Sequence, residues 1–165
     1  YWGDRTGSHY FLVMENTAAD PTNNAWSGRF NPLFSEQVNA FMINPFLKYK
    51  GLEFFGTYET AKGRTINETV LRQASQYTAD LIYRFPAGKE NFWIGARYNS
   101  VTAALPGYTN DITIDRLAGS AGWFLTKNVM MKAEYVDQQY LYFPATDIRS
   151  AGKFNGVMIE ASVGF

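Results

Sequence analysis

Along most of the chain apolar residues recur at every second position, the period of a strand and not of a helix. In the closing stretch VMIEASVGF, Val157, Ile159, Ala161, Val163 and Phe165 share one side, and Met158, Glu160, Ser162 and Gly164 take the other. The same alternation sets Val129, Met131, Ala133 and Tyr135 against Met130, Lys132 and Glu134. It sets Leu117, Gly119, Ala121, Trp123 and Leu125 against Arg116, Ala118, Ser120, Gly122 and Phe124. Upstream, Phe92, Ile94, Ala96 and Tyr98 oppose Trp93, Gly95, Arg97 and Asn99, while Tyr77, Ala79, Leu81, Tyr83 and Phe85 oppose Gln76, Thr78, Asp80, Ile82 and Arg84. Leu52, Phe54, Gly56 and Tyr58 oppose Glu53, Phe55, Thr57 and Glu59, and a turn at Lys50-Gly51 joins them to Ile43, Pro45, Leu47 and Tyr49. Pro45 has no amide to give to a ladder, so a bulge or a strand end is expected there. One more strand is expected at residues 10–15, with no clear facing.

The sum is about eight strands, longer than the ~5–6 residues usual in soluble proteins. Tight turns, at Lys50-Gly51, Pro86-Ala87-Gly88 and Thr126-Lys127-Asn128, alternate with long polar connections at 16–37, around Pro106-Gly107 and at 143–156. Residues 61–73 have helical propensity but too few apolar positions to pack a helix. The fold class is therefore all-β and antiparallel. With no Cys, thiolate catalysis, Cys-ligated zinc and disulfides are out of reach. Lys and Arg number 15 and Asp and Glu 15, so nothing indicates a nucleic-acid surface. A run of about 18 apolar residues, the mark of a membrane helix, is absent from the sequence.

Two architectures suit such strands. A soluble sandwich turns its apolar face inward, whereas a transmembrane barrel turns it out to lipid and encloses a polar lumen. Small residues on the apolar side (Gly56, Ala96, Gly119, Ala121, Ala133) suit lipid better than a close-packed core. Strands of about 10 residues match the ~9–11 that cross a bilayer when tilted. Tyr49, Tyr83, Phe85, Phe92, Trp123 and Phe165 all fall on the apolar side beside a tight turn or the terminus. Aromatics at one end of successive strands are the interfacial girdle of a barrel. The expectation is a transmembrane antiparallel β-barrel, a single domain over residues 1–165 or the C-terminal piece of a larger one. Polarity makes the stretch before residue 10 another short turn, which favours the fragment over a closed eight-stranded barrel.

An apolar alternation ending in Phe resembles the C-terminal signal of outer-membrane barrels, which the assembly machinery reads. By that resemblance the short turns and the C-terminus are periplasmic and the long loops, 16–37 among them, face outside. YWGDRTGSHYF, INPFLKYKGLEFFGTYE, GWFLTKNVMMKAEYV and GKFNGVMIEASVGF are similar to the C-terminal part of the phosphate-selective porin-like family of Gram-negative outer membranes. The resemblance implies a water-filled pore of about sixteen strands, often trimeric, embedded in lipid and lipopolysaccharide. It implies passive diffusion of small hydrophilic, phosphate-like solutes and no cofactor. The family's anion-guiding residues are not carried over by motif.

The expected lumen side carries Lys48, Arg72, Arg97, Arg116 and Lys132 together with Glu53, Glu59, Asp80, Glu134 and Glu160. A row of cations in a narrow pore guides anions. Charges of both signs on neighbouring strands instead brace the wall. The near balance of sign favours bracing, with Lys132 and Glu160 as its example. No catalytic role is expected: His9 is the only His and sits by an expected periplasmic turn, without the nucleophile a barrel lipase needs. Asp111 and Asp115 lack EF-hand spacing, and Asn67-Glu68-Thr69 is a chance sequon. A different class of function is a structural or docking barrel within a larger outer-membrane complex. For that role, or for a constriction, the 16–37 loop offers Trp26, Phe30 and Phe34.

Overall fold

The computed structural model of the chain describes residues 12–14, 25–26 and 30–164. Among them are ten strands and no helix: β1 (Leu12–Met14), β2 (Ala25–Trp26), β3 (Gln37–Ile43), β4 (Phe46–Tyr49), β5 (Leu52–Arg64), β6 (Arg72–Phe85), β7 (Phe92–Ala103), β8 (Ile112–Phe124), β9 (Val129–Leu141) and β10 (Lys153–Val163). Strands β3 to β10 form one eight-stranded sheet in the order β10-β9-β8-β7-β6-β5-β3, with β4 also on β5. Every pairing is antiparallel and, with β3 and β4 taken as one pass, joins neighbouring passes of the chain, so turns and loops suffice as connections. The open order does not close on itself.

β3 and β4 are one pass of chain. Gln37 faces Arg64, Ile43 faces Tyr58, Phe46 faces Phe55 and Tyr49 faces Leu52, all in a single register. The break falls at Asn44-Pro45. There the Pro45 carbonyl accepts the Gly56 amide at 2.9 Å, but proline has no amide to return. Of the two outcomes expected at Pro45, a strand end forms; a bulge would have shifted the register. At the hairpin that follows, Lys50 (φ 45°) and Gly51 (φ 81°) are both left-handed, as the tight primed turn requires. A Cβ on Gly51 would stand 2.7 Å from the Arg84 carbonyl, so glycine is needed for approach as well as for φ.

Two expectations are corrected. The strand at 10–15 is present as β1, but it pairs with β2 in a separate two-stranded ribbon. The eight strands of the main sheet therefore trace seven passes, since β3 and β4 share one. The long connections are also shorter than the hydropathy indicates: they span 65–71, 104–111 and 142–152, and β10 begins inside the stretch taken as loop. Each strand runs on past its apolar alternation toward this end, where its outward side chains (Thr60, Ser75, Thr102, Thr113) are polar. Period two persists there in backbone geometry and not in hydropathy. The buried cluster of the molecule, Leu105, Ile112, Tyr140 and Phe143 with Phe30, Tyr108 and Ile114 against it, lies at the same end.

Candidate functional site

The sheet buries its faces the wrong way round for a soluble protein. On the apolar side Leu81 is 49% exposed, Leu117 57% and Ile159 71%; on the polar side Asp80 is 7% and Gln138 3% exposed. Water gives no reason to leave a continuous apolar band of this size open, since patches beyond a few hundred Å² mark contact surfaces. The register row of Leu47, Phe54, Leu81, Ala96, Gly119, Tyr135 and Val157 carries that band across the whole sheet.

Aromatic rings bound the band on both sides. At the short-turn end Tyr83, Phe85, Phe92 and Trp123 form a near-parallel stack across three strands, with centroids 6.0, 6.0 and 5.4 Å apart. Tyr49 is exposed beside them, the Lys50 ammonium 5.1 Å from its ring. These are the expected girdle residues; Phe165 lies outside the described residues. A second belt was not anticipated: Tyr58, Tyr77, Tyr98 and Tyr135 are exposed on the same face toward the long connections, with Tyr77 and Tyr98 5.8 Å apart. On β6 and β7 the belts lie six residues apart (77 to 83, 92 to 98), about 20 Å along the strand at ~3.4 Å per residue.

The band also runs obliquely to the hydrogen-bond rows. Beyond the row of Val157, the next row is polar on β9 and β10 (Asp137, Asn155) but apolar on β8 to β6 (Leu117, Tyr98, Ala79). One row further, Asp115 and Ser100 have turned polar while Tyr77, Tyr58 and Ile43 persist. From β10 to β6 its edge climbs two rows, roughly 14 Å, across four strand spacings, roughly 19 Å. The strands are thus inclined by about 35° to the normal of the band, within the range of barrel strands about their axis.

Past this edge the polarity inverts. Outward positions become Thr, Ser and Asp, and inward positions become Val101, Ala103, Ile112, Ile114 and Tyr140, where Ala103 and Ile112 are fully buried. Residues 30–36 fold over this inner face. The Phe34 ring is buried against Gly63, where a Cβ would overlap it. Arg72 latches the segment, its guanidinium 5.1 Å from the Phe34 ring. It donates to the Pro32 and Ala104 carbonyls at 2.9 and 2.6 Å and to the Glu68 carboxylate at 2.7 and 3.1 Å. Arg72 and the Thr65 amide hold the Glu68 carboxyl down to about 2. Of the loop aromatics, Phe30 and Phe34 are thus packed inward, while the Trp26 side chain is outside the described residues.

All ten expected wall residues lie on the polar face, and the structure brings them into pairs. Lys48 meets Glu53 at 2.8 Å and Arg84 grips the same carboxylate at 3.0 and 3.3 Å. Arg97 holds Asp80 with two bonds, through Nε and, at 2.9 Å, Nη2. Gln76 donates to Glu59 at 2.6 Å, Arg116 to Gln138 at 3.0 Å, and Lys132 stands 3.3 Å from Glu160 and 3.8 Å from Glu134. Arg84, absent from the sequence-derived set, is the addition; its position opposite Trp93 on the polar side was the available signal. The partners are unequally covered: the Arg97 side chain is 57% exposed against 10% for Asp80, and Lys48 48% against 14% for Glu53.

The long loops are fastened to each other. Arg149 donates twice to Asp147 (2.8 and 2.7 Å) and lies 4.6 Å over Phe143, and the Tyr108 hydroxyl donates to the same carboxylate from the neighbouring loop. Burial alone would raise the Asp147 pKa, but the Arg149 and Tyr108 hydrogen bonds outweigh it and hold the carboxyl at about 2. Burial and the same carboxylate push the Tyr108 hydroxyl up. Asp111 and Asp115 gather no third ligand: no cluster of three His, Asp or Glu groups suited to a metal exists among the described residues. His9 lies outside them. Comparison with protein-family models, curated proteins and solved structures finds no match.

Proposed function

We propose that this chain is part of the wall of a porin-like β-barrel channel in the bacterial outer membrane, through which small hydrophilic solutes diffuse. Lipid and lipopolysaccharide cover its apolar side, its short turns are periplasmic and its long loops external. The observation that carries this reading is the inversion of polarity along single strands. A soluble sandwich keeps one face apolar from end to end, because both ends share one core. Here the apolar side is outward between two aromatic belts and inward beyond them, as suits a strand that leaves hydrocarbon for water.

The polar wall supports weak charge selectivity. Its five expected cations all have hydrogen-bonding or ionic partners, which favours bracing over anion guidance. In two of the pairs, however, the cation is the exposed member. Planar-bilayer recordings of the native protein in a salt gradient test the proposal. Conductance with a small reversal potential of anionic sign is expected; absence of any conductance by a correctly inserted protein refutes the channel. The inward-folded 30–36 segment favours one second reading, a docking subunit with a closed mouth, and a silent but stoichiometrically partnered barrel would select it.

A further inference from the structure

Tyr142 carries an exposed aromatic ring that neither belt accounts for. It stands seven residues past the belt residue Tyr135, just after the end of β9, and is 73% exposed. Its backbone is left-handed (φ 64°), a conformation strained for a bulky residue and free for glycine. Strain of this kind gathers where a side chain is held out for a ligand. The ring borders a pocket of about 270 Å³ between the 104–111 and 142–152 loops, close to the ~300 Å³ at which small-molecule sites begin. Tyr108, Tyr142, Phe143 and Pro144 give this pocket its rings, and Thr109 and Asn110, both exposed, give it a hydroxyl and a carboxamide. No charged side chain lines it. The nearby Asp147 carboxylate is taken up by Arg149 and the Tyr108 hydroxyl.

We propose that this pocket binds one ring of an uncharged pyranose saccharide, stacked on Tyr142. A pyranose has an apolar C–H face and a rim of hydroxyls, so it uses both kinds of lining at once, the face against an aromatic ring and the hydroxyls toward Thr109 and Asn110. An anion finds no cation in this lining, and a wholly apolar ligand leaves the hydroxyl and the carboxamide unpaired. The walls are set in advance. Phe143 is buried, with the Tyr140 ring edge-on at 6.0 Å and the Arg149 guanidinium 4.6 Å over it, and Tyr108 is tied to the opposite loop through Asp147. A ligand therefore does not have to order the two loops before it gains from them. A free sugar and the glycan of lipopolysaccharide offer the same ring chemistry; only the second source rests on the membrane reading above.

Titration calorimetry of the full chain in an amine-oxide detergent, whose headgroup is not a sugar, tests this with maltose, with delipidated O-polysaccharide and with inorganic phosphate. Saturable binding of at least one saccharide, and none of phosphate, is expected. Binding of maltose assigns a free sugar as ligand, and binding of the polysaccharide alone assigns the surface glycan. Tyr142→Phe keeps the ring and should bind as the native chain does. Tyr142→Gly removes the ring and should weaken binding about three- to tenfold, the worth of one stacked aromatic. In that variant amide exchange in 142–152 should not accelerate, because glycine relieves the left-handed backbone. Asn110→Ala should weaken binding by a similar factor. Binding of neither saccharide, binding of phosphate in their place, or undiminished binding by Tyr142→Gly overturns the inference. Accelerated exchange in Tyr142→Gly overturns it too, since the ring would then be holding the loop instead of a ligand.

Discussion

Replacing Leu81 with Arg is the sharpest single perturbation of the apolar band. Leu81 lies midway between Tyr77 and Phe85 on β6 and is half-exposed. Were that face in water, the change would fall within the ±0.5 kcal/mol usual for exposed positions. In lipid an arginine at the midplane of a barrel strand costs about 2–4 kcal/mol, falling to about 0–1 near the interfaces. At ~1.4 kcal/mol per decade this is a roughly 30- to 1000-fold loss in the folded-to-unfolded ratio. The structure supplies a depth series on the same face of the same strand: Ser75, Tyr77, Ala79, Leu81 and Tyr83, each to Arg. Urea titration of the protein in phosphatidylcholine vesicles, followed by tryptophan fluorescence, reads the series. The penalty should peak at Leu81 and be near zero at Ser75, which lies beyond the second belt. A flat profile within 0.5 kcal/mol, or a penalty greatest at Ser75, would refute lipid contact.

Three further outcomes follow from the inner face. Gly63→Ala forces a Cβ onto the Phe34 ring and to 2.5 Å from the Gln37 carbonyl, an overpacking worth about 1–3 kcal/mol; residues 30–36 should become protease-sensitive and single-channel conductance should rise. For the loop clamp, a carboxyl lowered from 3.8 to about 2 contributes stability that is complete above its ordinary value and lost as pH falls through about 2. Protection of the 142–152 amides, taken relative to their intrinsic exchange rate at each pH, should therefore fall only as pH drops through about 4 to 2, and Asp147→Asn should make it low and nearly pH-independent over that window. Asp80→Asn removes the carboxylate under the exposed Arg97 guanidinium and should move the reversal potential toward anions, whereas Arg97→Gln should move it toward cations; no shift from either would mean that this pair does not face the permeating ions.

The alternation from Leu52 to Val163 made the middle of each strand legible, because one face is continuously apolar there. What hydropathy could not mark were the strand extensions, such as 60–64, 72–75, 100–103 and 136–141, where outward residues are mostly polar and inward ones mix small, aromatic and polar side chains. The second belt escaped for a related reason. Tyr58, Tyr77 and Tyr98 all fall on the outward face of the alternation, but only the strand register pairs Tyr58 with Tyr77 and sets Tyr98 one row away from them. The wall charges were visible as a face, and their pairing was not: whether Arg97 opposes Asp80 depends on a register that a six-residue turn region at 86–91 sets. Arg72 resembles its neighbours in sequence, yet its donors go to the nearby loop acid Glu68 and to the Pro32 and Ala104 carbonyls, both distant in the chain.

The paired wall reconciles formal neutrality with a bias in what a solute meets. Side chains on the polar face stand on a sheet whose reverse side is apolar, so an isolated charge there is poorly solvated from behind and gains from a partner on the next strand. Short acids and long bases meet that need unequally. Asp80 and Glu53 end near the backbone and are covered by the guanidinium or ammonium that reaches over them, while Arg97 and Lys48 carry their charge outward on longer stems. At these two pairs the wall presents its cations to solvent and covers its carboxylates, whereas at Lys132–Glu160 the acid is the more exposed member. Screening at about 8 Å in physiological salt confines the effect to solutes passing close to the wall. A wide pore built from such a wall should prefer anions only slightly, and narrowing at its mouth, where residues 30–36 fold inward, is what would strengthen the preference.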